Sequence, residues 1–204
     1  MVTTTHMLMA AFVTTRPRMR AWMVFLGWFG GFFPDLPMFV MVGMARLLES
    51  PVNLWRQPDG LYWLDPWRTL TGLSHSIPIW AALALVGWAG WQLGKGRVTV
   101  AGLAMLVFSA GALIHSVADL LVHTHDAHSH FLPLSDFVFH SPVSYYQRDH
   151  FGREFSVFEL GFCLVAGWFM FRWFRSWTLR ALTVLMVMPV ALHTGAILMR
   201  GVPG

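Results

Sequence analysis

Charged residues are scarce in this sequence: Asp, Glu, Lys and Arg make up only 12% of its 204 residues. Soluble globular domains average about 25%. The chain is instead 56% hydrophobic and contains eleven Trp and seventeen Phe. This scarcity of charge excludes an ordinary water-soluble domain, and the apolar excess indicates an integral membrane protein.

Cysteine is almost absent as well. The single cysteine, Cys163, lies within an apolar run, so the chain lacks the thiols for a disulfide framework or a thiolate metal site. A C-x-x-C-H motif for haem attachment is also missing. Any metal bound by this chain must therefore be held by His, Asp or Glu side chains.

The formal net charge is +4, but the basic residues do not form the continuous patch of a nucleic-acid-binding protein. They occur in short clusters between apolar runs, which is a signal of membrane topology. We therefore expect membrane lipids around the chain and no nucleic acid partner.

Five apolar runs reach the length of about 20 residues that a membrane-spanning helix needs. They are Ala21–Ala45, Thr69–Gly94, Val98–Val122, Phe155–Phe171 and Trp177–Met199. Proline removes a backbone donor and clashes with the preceding turn, so we expect the first span to be broken at Pro34-Asp35-Leu36-Pro37. The first fifteen residues carry no positive charge ahead of their apolar stretch, which predicts a short N-terminal interfacial helix instead of a cleavable signal.

The sequence thus predicts an all-α integral membrane protein with about five transmembrane helices, forming a single domain over residues 1–204. Three stretches, RPRMR, GKGR and RWFRSWTLR, hold eight of the fourteen Lys and Arg residues and none of the ten acidic ones. With five spans all three fall on one side, which the positive-inside rule makes the cytoplasm, together with the N-terminus. The His-rich segment, residues 123–154, is expected on the other side, and His6 away from it.

Ionisable residues within the predicted spans lie at a similar depth. At about 1.5 Å per helical residue, Asp35 lies roughly 22 Å beyond the cytoplasmic arginines, past the middle of a core about 30 Å thick. His115 lies roughly 26 Å from the cytoplasmic start of its run. His75 and Glu159 enter from the outer end. Because isolated charges in lipid are costly, we expect these side chains to meet in the outer half of the membrane.

The end of the third span carries a pattern typical of metal ligands. His115, Asp119 and His123 are spaced four residues apart, which places them on one face if the helix continues to His123. Two imidazoles and a carboxylate suit Zn²⁺, which takes His nitrogen and Asp oxygen at about 2.0–2.2 Å. The pattern therefore predicts Zn²⁺ or another divalent metal, in an apolar shell that would help acidify a bound water.

More polar residues follow along the chain. They would bind a second ion or close over the first, and they are His123, His125, Asp126, His128 and His130. A carboxylate that is not a ligand, Asp126 or Glu159, is the candidate catalytic base.

Simpler interpretations stay open. The tract HTHDAHSH, residues 123–130, is also typical of a solvated loop that binds metal only incidentally. Asp35 is also placed to cap the helix that it interrupts, and His75 to bond backbone groups near Pro78. His193, alone in the last span, is interpreted as a hydrogen-bonded packing residue.

Three short motifs give the chain a likeness to a known family. GGFFPDLP (Gly30–Pro37) resembles a G-x-x-x-P-D element, GLSHS (Gly72–Ser76) a G-x-T-H-S element, and HSVAD (His115–Asp119) an H-x-x-x-D element. These elements belong to the membrane-bound metal-dependent hydrolases of bacterial inner membranes. Order and spacing agree over roughly residues 30–152, whose last part resembles a proline-containing tail in one branch of similar proteins.

The resemblance implies a location in the bacterial inner membrane, with the His-rich segment in the periplasm, and a metal-dependent hydrolytic activity. It also implies a polar core of four residues: Asp35, His75, His115 and Asp119. The chain departs from the group at two places. Ser74 replaces the Thr, and Leu70-Thr71-Gly72 stands where the group often has H-R-G, so one expected histidine is missing.

Several functions are compatible with these features. The first is a membrane-embedded, zinc-dependent hydrolase acting on a lipid or another amphiphile. The second is a non-catalytic, metal-binding accessory subunit of a larger membrane complex. The third is a divalent-metal carrier, although the inner half of the membrane lacks polar residues to continue a path. A bis-histidine haem protein fits less well, because carboxylates crowd both histidines.

Overall fold

The computed structural model describes residues 1–17 and 19–200, and within them every regular element is helical. This confirms the predicted all-α class. The α-helices are α1 Thr3–Thr14, α2 Ala21–Phe32, α3 Leu36–Leu47, α4 Trp67–Ser74, α5 Ile77–Leu93, α6 Arg97–Leu120, α7 Gly152–Trp173 and α8 Trp177–Arg200. Arg18, one of the arginines used to orient the helices, and residues 201–204 lie outside the described residues.

Five helical stretches are long and apolar enough to cross a membrane, as the sequence predicts. They are Ala21–Leu47, Trp67–Leu93, Arg97–Leu120, Gly152–Trp173 and Trp177–Met199. Large apolar side chains on their outer faces point away from the bundle, and Leu85, Trp168 and Leu192 are each more than 60% exposed. So extensive an apolar surface would be a liability in water. The fold is compatible with a multi-pass membrane protein.

The first spanning stretch is broken where its prolines predict. A single 3₁₀ turn over Phe33–Asp35 separates α2 from α3. Proline leaves carbonyl oxygens without an intrahelical donor, and in lipid each of them needs another partner. The Pro34 carbonyl oxygen accepts a hydrogen bond from the Ser74 hydroxyl at 2.7 Å. The break is thereby stabilised from the neighbouring stretch, and it leaves Asp35 nearly buried inside the bundle.

A second break, which was not predicted, divides the second spanning stretch at His75. Ser76 caps α5 by accepting the N–H of Ile79 at 3.2 Å, and Pro78 occupies the first turn. Both features are typical of a helix start. The Ser-Ile-Pro pattern was therefore the sequence signal for this break. The break places His75 opposite the Phe33–Asp35 break of the first stretch.

The N-terminal helix is present as predicted, but it packs inside the bundle. α1 contacts α2, α6, α7 and α8, and its residues Thr5, His6 and Leu8 are at most 1% exposed. The hydroxyl of Thr3 donates to Asp35 Oδ2 at 2.6 Å, so the first turn of α1 lies beside the far end of α2. Two expectations are therefore wrong: that the N-terminus lies on the side of the cationic clusters, and that His6 lies away from the other histidines. The reason is that α1 runs through the bundle instead of along its surface.

The segment after α6 folds back over one end of the bundle. α6 ends before His123, so this histidine lies in a turn and not on the continuous helical face that its spacing allowed. The Ser141 N–H donates to the His123 carbonyl oxygen at 2.9 Å, and the Ile77 N–H donates to the His130 carbonyl oxygen at 2.9 Å. The first bond closes the segment on itself, and the second holds the His-rich tract, residues 123–130, against the start of α5.

Glycines let α1, α2 and α6 approach closely. A Cβ atom at Gly30 of α2 would overlap the carbonyl oxygen of Phe108 on α6, and one at Gly31 would overlap the backbone of His6 on α1. Helices in lipid gain little hydrophobic driving force from one another, so close packing at small residues supplies much of their association. The two adjacent glycines thus set the spacing of α1, α2 and α6, and α2 leads directly into the turn that carries Asp35.

We expect Gly30→Ala to destabilise the fold by about 1–3 kcal/mol, because the added methyl group must push α2 and α6 apart. Gly43→Ala on α3 is the matched control, because outside its own helix no described atom lies within 4 Å of the added Cβ. Both variants gain about 1 kcal/mol from the higher helix propensity of alanine, so only the steric effect differs between them. Thermal unfolding in detergent compares the two variants. Equal midpoints would show that the α2–α6 contact is not tight.

Candidate metal centre

Four polar residues from three spanning stretches converge on one point. Asp35 comes from the break in the first stretch, His75 from the break in the second, and His115 and Asp119 from the end of α6. One ligand atom from each residue lies within 4.8 Å of the other three. His75, His115 and Asp119 are at most 2% exposed. The predicted meeting of these four side chains is confirmed, and the cluster is one that could hold a metal ion.

The four His–Asp distances in this group are close to those between the ligands of a tetrahedral ion. His115 Nε2 lies 3.2 Å from Asp119 Oδ2 and 3.6 Å from Asp35 Oδ1. His75 Nε2 lies 3.4 Å and 3.7 Å from the same two oxygens. Ligands bound tetrahedrally by zinc at about 2.0–2.2 Å are roughly 3.3–3.6 Å apart. The group could therefore enclose one ion with little movement.

Backbone carbonyl groups fix the orientation of both imidazole rings. His115 Nδ1 lies 2.7 Å from the Gly31 carbonyl oxygen, and His75 Nδ1 lies 2.8 Å from that of Thr71. Because a carbonyl oxygen only accepts, each Nδ1 carries a hydrogen, and each ring turns its Nε2 towards the carboxylates. A proton or a metal ion between Nε2 and the carboxylate oxygens would hold these atoms together. Such outer hydrogen bonding is typical of metal-bound histidine.

A second group of ligand atoms shares Asp119 with the first. Asp119, His123 and His128 each offer one atom within 4.8 Å of the other two. His123 Nε2 lies 3.2 Å from Asp119 Oδ1, the oxygen that the first group does not use. His128 Nδ1 is hydrogen-bonded to the Tyr62 hydroxyl at 3.1 Å. The two oxygens of one carboxylate therefore face two different sets of imidazoles.

One histidine of this centre was missed from the sequence. His6 Nε2 lies 2.8 Å from Asp119 Oδ1, and its ring stacks on that of His115 with centroids 3.7 Å apart. Neither ring nitrogen of His6 has a well-aligned hydrogen-bond partner among the described residues, so the 2.8 Å contact is a close approach and not a hydrogen bond. The polar run TTTH at the start of an apolar helix was the available signal.

The two predicted catalytic bases lie in different surroundings. Asp126 Oδ2 lies 2.9 Å from His123 Nδ1, so Asp126 adjoins the second ligand group. Glu159 is buried and accepts the N–H of Val2 at 2.8 Å, and among the described residues it belongs to neither group. Their catalytic roles stay predictions, and the geometry favours Asp126.

Two other histidines of the tract lie outside both groups of described ligand atoms. His130, a predicted ligand, is buried, but its Nδ1 lies 3.0 Å from the His128 carbonyl oxygen and its ring centroid is 6.1 Å from that of His75. The structure thus places His130 beside the centre instead of within either group. His125 is exposed and its ring faces His150, with centroids 5.5 Å apart.

Three histidines of the tract, His123, His128 and His130, differ in the direction of their pKa shifts. Burial and neighbouring imidazoles hold the pKa of His128 well below the ordinary histidine value, and the same causes lower the pKa of His130 to about 4. Burial also acts to lower the pKa of His123, but the Asp119 and Asp126 carboxylates outweigh it and raise that pKa. His128 and His130 are therefore neutral at pH 7, the form in which histidine binds metal.

A cavity of about 540 Å³ reaches both ligand groups. Its polar lining comprises Asp35, His75, Asp119, His123, Asp126, His128 and His193, together with Thr3 and Thr71. Its apolar lining is largely aromatic and includes Trp55, Tyr62, Trp63, Tyr145 and Tyr146. The volume lies within the range of about 300–1,000 Å³ that is usual for small-molecule sites. A ligand with polar and apolar parts could therefore reach the clustered imidazoles and carboxylates.

Comparison of the chain with protein-family models, curated proteins and solved structures finds no match. The likeness to membrane-bound metal-dependent hydrolases therefore rests on the three motifs. In the structure, residues of all three motifs lie together: Asp35 of the first, His75 of the second, and His115 and Asp119 of the third.

We expect metal loading to weaken as the pH falls from about 7.5 to 5, because protons compete with the ion for the imidazole nitrogens, whose ordinary pKa is about 6.5. Loading can only fall as the pH falls, because a protonated imidazole ring offers no lone pair to the metal. Zinc content after equilibrium dialysis at each pH measures the loading. Loading that stays constant down to pH 5 would exclude histidine ligands.

Proposed function

We propose that this chain is a membrane-embedded, zinc-dependent hydrolase. The observation that carries the proposal is the convergence of two oriented imidazoles and two carboxylates, from three spanning stretches, at spacings of 3.2–3.7 Å. Imidazole and carboxylate ligands suit Zn²⁺ among the common biological cations. A divalent cation bound there would polarise the scissile group and activate water for attack on it.

The cavity supports a lipid or another amphiphile as the substrate. Its polar lining lies at the ligand groups, while Trp55, Trp63 and Tyr145 line its apolar part. Aromatic side chains of this kind are enriched where membrane proteins meet the polar headgroups. A substrate with a hydrolysable polar group and an apolar tail would match both parts of the lining.

Asp126 is the proposed general base. Its Oδ2 lies 2.9 Å from His123 Nδ1, while its buried Oδ1 has no hydrogen-bond partner among the described residues. In hydrolysis this carboxylate would take a proton from the attacking water and return it to the leaving group as the substrate bond breaks. The water oxygen and its second hydrogen would then end in the acid product.

The proposed location is the bacterial inner membrane, with the three cationic clusters in the cytoplasm and the His-rich segment, residues 123–154, in the periplasm. The distribution of charge supports this orientation through the positive-inside rule. In this orientation the ligand groups lie in the outer half of the membrane. α1 then runs from the centre towards the cytoplasm, so its first turn lies within the bundle.

The accessory-subunit alternative has one observation in its favour. Structural zinc sites are usually closed by four protein ligands, whereas catalytic sites keep a position for water. The first ligand group already offers four: Asp35, His75, His115 and Asp119. Protein that binds zinc but releases no product would support this alternative, in which the centre stabilises a subunit of a larger membrane complex.

The hydrolase proposal predicts that zinc-loaded protein in detergent releases product from at least one member of a panel of amphiphilic carboxylic and phosphate esters. We expect His115→Ala and Asp119→Ala to lose zinc and to lower the rate by more than about 100-fold, because each removes a ligand. His125→Ala is the matched control, since its side chain is exposed and outside both ligand groups. Full activity in a zinc-free His115→Ala protein would contradict the proposal.

The proposed orientation predicts which positions an impermeant maleimide reaches in intact cells. Asp136→Cys, in the His-rich segment, should be labelled, and Lys95→Cys, in a cationic cluster, should be labelled only after lysis. Both positions are exposed, whereas the native Cys163 is fully buried and should contribute no background. The reverse pattern would invert the orientation.

A further inference from the structure

Asp119 has the geometry of a carboxylate that bridges two cations. Its Oδ2 lies 3.4 Å from His75 Nε2 and 3.2 Å from His115 Nε2. Its Oδ1 lies 3.2 Å from His123 Nε2 and 2.8 Å from His6 Nε2. Each oxygen of the carboxylate therefore faces a different set of nitrogen atoms, and Asp119 is only 2% exposed.

The second set has one ring oriented in the same way as those of the first. His128 Nδ1 is hydrogen-bonded to the Tyr62 hydroxyl at 3.1 Å, which leaves its other nitrogen for the interior, as at metal-bound histidines. His123 Nδ1 lies 2.9 Å from Asp126 Oδ2, a close approach without a well-aligned hydrogen bond. The Asp126 carboxylate therefore adjoins this ring on its outer side.

From this arrangement we propose that the chain binds a second divalent cation, held by Asp119, His123 and His128 and bridged to the first through the Asp119 carboxylate. The inference rests on the proposed hydrolase and deepens it. Two imidazoles and one carboxylate favour zinc or a similar first-row divalent cation over calcium or magnesium, which prefer oxygen ligands.

The second position is the open one. Three protein ligands leave at least one coordination position free, whereas the first group can close a tetrahedron by itself. The cavity is lined by all three ligands of the second cation and by Asp126, and also by Asp35 and His75 of the first group. The second cation therefore adds an open coordination position for water beside the first ion. Paired catalytic ions of this kind lie about 3.5–4 Å apart.

Metal stoichiometry tests the inference. Wild-type protein saturated with Zn²⁺ and then desalted is expected to retain two ions per chain, and a variant with both His123→Gln and His128→Gln is expected to retain one. The His125→Gln variant, altered in the same tract but outside the group, should retain two. Size-exclusion profiles and unfolding midpoints equal to those of His125→Gln show that the double variant is folded.

Manganese loading tests the bridge, because two Mn²⁺ ions joined by a carboxylate give the electron paramagnetic resonance spectrum of a coupled pair. The coupled spectrum in wild-type protein, replaced in the double variant by that of an isolated ion, supports the inference. A single ion in wild-type protein, or two uncoupled ions, would overturn it. One ion with product release would overturn only the second site, whereas two coupled ions without product would overturn only the hydrolase.

Discussion

The buried Asp119 carboxylate is the group on which the rest of the structure depends. A lone carboxylate in an apolar interior is costly, and it is retained only when cations or proton donors surround it. Here the imidazoles of His6, His75, His115 and His123 approach its two oxygens from α1, the break before α5, α6 and the turn after α6. These four elements are therefore arranged so that their imidazoles surround the single negative charge of Asp119.

The two helix breaks supply what straight helices could not. Side chains on an unbroken spanning helix project from its flank, whereas a break can place a residue at a helix end, closer to the axis of the bundle. Asp35 and His75 both occupy such ends. The cost of interrupted backbone in lipid is offset because each break lies against protein, where carbonyl groups still find donors.

Much of this could be predicted from sequence, and the exceptions have physical causes. Proline at the first break acts locally, so the pattern showed it, and depth along a helix correctly brought Asp35, His75, His115 and Asp119 together. The place of His6 depends instead on packing at Gly30 and Gly31, a contact between distant segments that no local pattern contains. The end of α6 was also misjudged, because apolar residues continue past its last helical turn.

The hydrogen bond from the Ser74 hydroxyl to the Pro34 carbonyl oxygen has an evolutionary consequence. It joins the second motif to the first, so the two breaks cannot drift independently in related sequences. Threonine carries the same donor, so a threonine at position 74 could keep the bond. Homologues that replace position 74 with a residue lacking a hydroxyl should carry a compensating change around position 34, and the two positions should covary.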